Sequence, residues 1–161
     1  TDLDYCNDQF NKFIKRLKYS FKDKSTFDLK YIVVVEFQER GAVHYHMLAN
    51  LDYIPNEKLR KIWGNGYVKI NRIDRVDNVG AYVTKYMKKD MADPRLEGRK
   101  CYFPSRNLDK PIIYTKKEEV ETLAGSLLHQ LSPVYETSFC NDYKGKITYR
   151  QYNLKRTNLN Q

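Results

Sequence analysis

Residues 41–48 read "GAVHYHML", two histidines around one tyrosine. Two positions apart on a strand, His44 and His46 point to the same face, and neutral imidazole is the commonest metal ligand among side chains. A metal held there could polarise a phosphoryl oxygen. A second run with chemical content is "AYVTKYMKKD", residues 81–90. Tyr82 and Tyr86 are four apart and share one helix face, and Lys85 and Lys89 share an adjoining one. Tyrosines beside lysines can stack bases and neutralise phosphates. They can also react. A phenol of pKa about 10 attacks a phosphodiester only when the phosphate is made electrophilic and the proton is helped away. A neighbouring lysine could stabilise the charge that develops.

The elements that must position these residues follow from periodicity. "YIVVVEFQ", 31–38, is a β-branched run and reads as a strand. "VHYHMLANL", 43–51, reads as its hairpin partner, and Gly41 can supply the positive φ that a tight loop needs. A three-residue turn, Arg40-Gly41-Ala42, would set Glu39 opposite Val43, Glu36 opposite His46 and Gln38 opposite His44. Val33, Val35 and Phe37 then share the face of Tyr45 and Met47, and hydrophobic consistency selects this register. Glu36, His44 and His46, with Gln38 as a fourth candidate, form the expected metal cluster. Its mixed donors suit Mn²⁺ or Mg²⁺, with zinc as the alternative. The bland alternative is a solvated strand face on which two histidines fall by chance.

Around this hairpin, residues 4–22 carry Phe10, Phe13, Ile14, Leu17 and Phe21 at helical spacing. "PNEKLRKIWG" reads as a short helix from Pro55 to Gly64. "GYVKINRID", 66–74, alternates as a third strand. Residues 76–91 read as the helix that carries both tyrosines, with Asp77 as its N-cap. After Pro94, "CYFPSRNLDKPIIY" reads as loop with short extended pieces, "KKEEVETLAGSLLHQ" as an amphipathic helix, and "VYETSFCNDYKGKITYRQYNL" as two strands about a turn. His129, on that late helix, reads as structural or exposed. Helices and strands mix without strict alternation. The fold class is therefore α+β, an antiparallel sheet backed by helices.

Composition bounds the function. A chain of 161 residues suits one domain with its own core. Its 29 Lys and Arg against 20 Asp and Glu give a formal charge of +9, which points to a polyanion, nucleic acid before membrane. Cys6, Cys101 and Cys140 are odd in number and far apart, which argues against a disulfide framework or a zinc ribbon and fits a reducing cytoplasm. No secretory signal and no membrane-spanning apolar run is present. The first residue, Thr1, leaves room for a longer parent chain.

Together, "VEFQERGAVHYHML" and "YVTKYMKKD" resemble the metal-binding hairpin and the nucleophile motif of the HUH endonucleases, the rolling-circle replication initiators of plasmids and single-stranded DNA phages. HxH alone is weak. HxH followed about 40 residues later by YxxKYxxK is specific. "CYFPSRNLDKPIIY" is also similar to a stretch found after the tyrosine helix in some of these initiators. The likeness is clear over roughly residues 30–115.

The resemblance implies an RRM-like or ferredoxin-like sheet, with helices on one face and the site on the other, in one nicking domain spanning 1–161. It implies a divalent metal on Glu36, His44 and His46. It also implies tyrosine attack on single-stranded or hairpin origin DNA, giving a 5′-phosphotyrosine and a free 3′-OH, with later rejoining. Two tyrosines four apart match the two-tyrosine initiators: Tyr86 is expected to nick first, with Lys89, and Tyr82 to act as its partner, with Lys85. A host helicase and polymerase, a bacterial cytoplasm and a monomer or weak oligomer are implied on the same ground. DNA contacts are expected from Arg40 beside the hairpin, from Lys69 and Arg72 on the third strand, and from Arg99, Lys100, Ser105, Arg106 and Asn107 in the Pro-containing loop. Two rivals stay open: a non-catalytic RRM-like binding module, and a two-tyrosine HUH transposase sharing the motif order.

Overall fold

A computed structural model describes residues 2–24, 26–73, 80, 82, 84, 93–128 and 131–154. The chain divides into two compact units, Thr1–Asp109 and Lys110–Gln161. Both contain strands and helical turns, and the fold is α+β with antiparallel sheets. No described helix is long and apolar enough to cross a membrane.

The first unit opens with α1, Leu3–Tyr19. Asp2 caps it by accepting from the backbone N–H of Asp4 and Tyr5 at 2.9 and 3.1 Å. Its buried stripe of Leu3, Phe10, Phe13, Ile14 and Leu17 follows the helical period. Strands β1, Tyr31–Phe37, and β2, Val43–Ala49, form a hairpin. Helix α2, Asn56–Trp63, ends at Gly64 in the left-handed conformation, φ +72°. Arg16 of α1 donates to the carbonyls of Ile62 and Trp63 at 2.8 and 2.9 Å, so one side chain satisfies the end of the other helix.

Both helices pack on one face of the sheet. Phe10, Phe13, Leu17, Leu59 and Val33 form the core there, with Tyr45, Met47 and Trp63 against it. Phe10 stacks on Tyr45 at 4.6 Å, and Phe13 meets Trp63 edge-on at 5.2 Å. Leu3, Val35, Phe37 and Leu96 extend the same face toward the hairpin's closed end.

The hairpin register departs from the expected one by two residues. Phe37 pairs with Val43, Glu36 with His44 and Val34 with His46. The connection spends five residues, 38–42, rather than three, closed by Gln38 N–H to Ala42 O at 2.9 Å and Gly41 N–H to Gln38 O at 2.7 Å. Gly41 does adopt positive φ, +80°. An even shift leaves every side chain on its face, so the polar cluster survives it.

The third strand is also not where alternation placed it. Residues 66–73 form no ladder, although Val68 does pack against the core. The free edge of β1 is taken instead by β3, Tyr102–Pro104, giving the order β2-β1-β3. Val35 N–H to Cys101 O at 2.9 Å and Ser105 N–H to Tyr31 O at 2.8 Å close its two ends. Alternation gives a segment a dry side, but a strand also needs a partner edge for its backbone groups.

The second unit holds a short helix, Lys117–Leu123, that widens into a π-helical turn over Ala124–Leu128. A hairpin follows, β4 (Tyr135–Asn141) and β5 (Gly145–Gln151), around the expected turn. Of the expected tyrosine helix, Gly80, Tyr82 and Thr84 are helical. The remainder of 76–91, and His129, lie outside the described residues.

Candidate metal centre

The site is built on the sheet face away from α1 and α2. Glu36 is the penultimate residue of β1 and is buried, at 8 % exposure. His44 and His46 stand on β2, exposed and half-buried respectively. Their rings stack with centroids 4.4 Å apart. Glu36 faces His44 across the ladder, yet its carboxylate reaches diagonally to accept a hydrogen bond from His46 Nε2. A buried carboxylate needs such a partner, because desolvation penalises the charged form. One donor atom from each of the three side chains lies within 4.8 Å of the others. Two imidazole nitrogens and a carboxylate oxygen gathered this closely could hold a divalent metal.

Tyr45, between the histidines, points the other way. Its hydroxyl donates to Asn7 Oδ1 at 2.8 Å, and burial pushes its phenol well above the ordinary range. Its bulk serves the core, and its hydroxyl is engaged by Asn7 on the face away from the histidines.

Beside the three ligands lies an open cleft of about 580 Å³, lined by Glu36, Phe37, Gln38, Glu39, Arg40, His44 and Arg95. Gln38 carries its amide nitrogen 3.5 Å from His44 Nδ1, while its amide oxygen accepts from Arg40 Nε at 3.1 Å. That oxygen, the atom a metal would need, is therefore engaged by Arg40.

Sequence reasoning missed Arg95. Its Nε and Nη2 donate to the two oxygens of Asp93 at 2.8 and 2.5 Å, and its guanidinium lies 3.9 Å over the Phe37 ring. Asp93 also accepts from the Arg95 backbone N–H at 2.9 Å. The side-chain hydrogen bonds from Arg95 pull the Asp93 carboxyl down to about 2. The Asp-Pro pair at 93–94 signals a helical start, Pro94–Leu96. Nothing local says that this turn abuts a hairpin more than fifty residues earlier.

The other expected contacts are dispersed. Arg40 lines the cleft. Lys69 and Arg72 are exposed on the extended segment outside the ladder, and Lys100 and Arg106 are exposed. Arg99 holds Asp4 with Nη1 at 2.5 and Nη2 at 3.1 Å, and each partner shifts the other toward its charged form. Ser105 is buried, and its hydroxyl accepts from Tyr31 N–H at 3.0 Å. Asn107 donates to Leu29 O at 3.2 Å. The last two are engaged in pinning the β3 side of the sheet. Tyr82 is half-buried on its helical turn. Tyr86, Lys85 and Lys89 lie outside the described residues.

A family model described as replication-associated protein ORF2 matches residues 1–91. That span contains α1, the histidine hairpin, α2 and the tyrosine run. No curated protein and no solved structure matches the chain.

Proposed function

Because the chain belongs to this replication-associated protein ORF2 family, we propose that it is a replication initiator of the HUH two-tyrosine type, which nicks and rejoins single-stranded origin DNA. The observation that carries this reading is the convergence of Glu36, His44 and His46 donor atoms within 4.8 Å. Bound there, Mn²⁺ or Mg²⁺ would supply Lewis-acid polarisation of the scissile phosphate.

The chain's own residues do the rest. His46 and Glu36 hold each other by a hydrogen bond, so two of the three candidate ligands are already drawn together before a metal arrives. The Tyr86 oxygen attacks phosphorus, the bond from phosphorus to O3′ breaks, and the phenolic proton ends on O3′. The products are a 5′-phosphotyrosine and a free 3′-OH that can prime a polymerase. Attack of a 3′-OH on that linkage reverses the step and rejoins DNA. Lys89, which follows Tyr86 at YxxK spacing, and Lys85, which follows Tyr82 at the same spacing, stabilise the charge that develops on the phosphate. Tyr82 serves as the second nucleophile. The described residues of this reading, Glu36, His44, His46 and Tyr82, belong to the unit Thr1–Asp109. Host helicase and polymerase are its partners in replication.

The test uses a 3′-end-labelled pool of random single-stranded oligonucleotides, incubated with the protein and Mn²⁺ and run on a denaturing gel. A labelled protein band is expected, because the enzyme keeps the 3′ fragment by its 5′ phosphate. Tyr86→Phe should abolish it and Tyr82→Phe should retain it. No labelled band with metal present would sink the nuclease reading in favour of a binding module. Loss only with Tyr82→Phe would reverse the order of the tyrosines. Joined products between unrelated DNA ends would point to a transposase.

A further inference from the structure

Among the described residues, the cleft beside the histidines is lined by two guanidinium groups outside the ligand set, those of Arg40 and Arg95. We propose that Arg95, with Arg40 on the same cleft, forms a phosphate subsite for the nucleotide next to the one held at the metal cluster, and that Asp93 is its positioning residue. The identity of the anion as single-stranded DNA rests on the nuclease reading above.

Three observations carry the subsite. The first is preorganisation. Asp93 clamps the Nε and Nη2 edge of Arg95, and Phe37 supports the flat face of the guanidinium. A fork fixed in plane loses little rotamer freedom when it binds, and guanidinium matches phosphate geometry. The clamp is also robust: Asp93 is held down to about 2, so it is ionised wherever DNA is handled.

The second is access. Nη1 of Arg95 lies beside the hairpin loop, 3.7 Å from where a Cβ on Gly41 would sit. Glycine, required there by φ +80°, places no side chain beside that nitrogen. The third is charge. Among the described residues, Glu36, Glu39 and the clamping Asp93 outnumber Arg40 and Arg95 by one charge. A divalent ion on the three ligands would tip that balance positive, and the complement is an anion.

The test is reversible binding of an oligo-dT of about 20 nucleotides, long enough to span a single-strand site, followed by fluorescence anisotropy in EDTA and again in Mg²⁺. Arg95→Ala should weaken binding about tenfold, and make the slope of log affinity against log salt shallower by about 0.7. Arg95→Lys keeps the charge and much of the packing, and should weaken binding severalfold because the fork is lost. It also serves if the alanine variant unfolds. Mn²⁺ affinity by calorimetry should stay within about twofold in both.

Asp93→Asn gives the sharpest sign. It removes a negative charge, so simple electrostatics predicts tighter DNA binding, whereas a positioning role predicts weaker binding. Tighter binding by Asp93→Asn overturns that role. Wild-type binding by Arg95→Ala overturns the subsite, whatever the covalent assay shows. Weakened oligo-dT binding with no covalent band from the wild-type protein sinks the nuclease reading and leaves the subsite standing.

Discussion

The described residues form two hairpins of equal strand length, β1–β2 and β4–β5, each pairing seven residues with seven. Each carries a cross-strand contact between a glutamate and a basic side chain. In β4–β5, Glu136 and Arg150 sit directly opposite at 2.9 Å, and both side chains are about half exposed. In β1–β2, Glu36 reaches diagonally to His46, and the two side chains are 11 % and 23 % exposed. What differs is what lies around the pair. Val33, Val34 and Val35 have no exposed surface, so the middle of β1 is covered on both faces. In β4–β5, Tyr135, Phe139 and Tyr149 alternate on one face and remain half exposed. An exposed ion pair is solvated and screened, and orients little. A partly desolvated pair on a packed strand is fixed in place, and water competes less for its atoms. Pairing two strands makes a hairpin; packing one of them makes it a platform for chemistry.

Three measurements press on that contrast. The largest effect should come from removing the packing itself. Leu17→Ala, at a fully buried position of the core that includes Val33, should cost about 2–5 kcal/mol in urea unfolding of the first unit. A cost comparable to that of an exposed site would mean that the first hairpin does not depend on α1.

Next comes a ligand. His44→Ala should lower Mn²⁺ affinity by about a hundredfold by calorimetry, since it removes one of three donors. The unfolding midpoint should barely move without metal, because His44 is exposed. Unchanged Mn²⁺ affinity would reduce the histidine pair to a solvated face. The smallest effect belongs to the second hairpin: Glu136→Gln should change neither the unfolding midpoint nor Mn²⁺ affinity measurably. A clear loss of either would show that β4–β5 contributes more than its exposure suggests.

The three candidate ligands were legible because strand alternation is a property of two neighbouring residues. It survived an error in the turn, since Glu36, His44 and His46 keep their face under a slip of two. The slip itself was not legible. Turn length depends on how Phe37 and Val43 both reach the core at the closed end of the hairpin. The sheet's third strand was misplaced for a related reason. Residues 66–73 have the better alternation, while Tyr102–Pro104 contains a proline and spans three residues. Edge position tolerates that proline, and Ser105 and Cys101 supply the closing backbone bonds. Arg95 was invisible because its neighbour Phe37 is 58 positions away in the chain.

From the linear order of residues alone came the shared face of Glu36, His44 and His46, the buried stripe of α1 and the glycine at position 41. Each follows from sterics and periodicity within a few residues. Tertiary structure decided the hairpin's register, the strand that completes the sheet, the burial of Glu36 and the placing of Arg95 over Phe37. These depend on which distant surfaces exclude water together, and no local pattern encodes that.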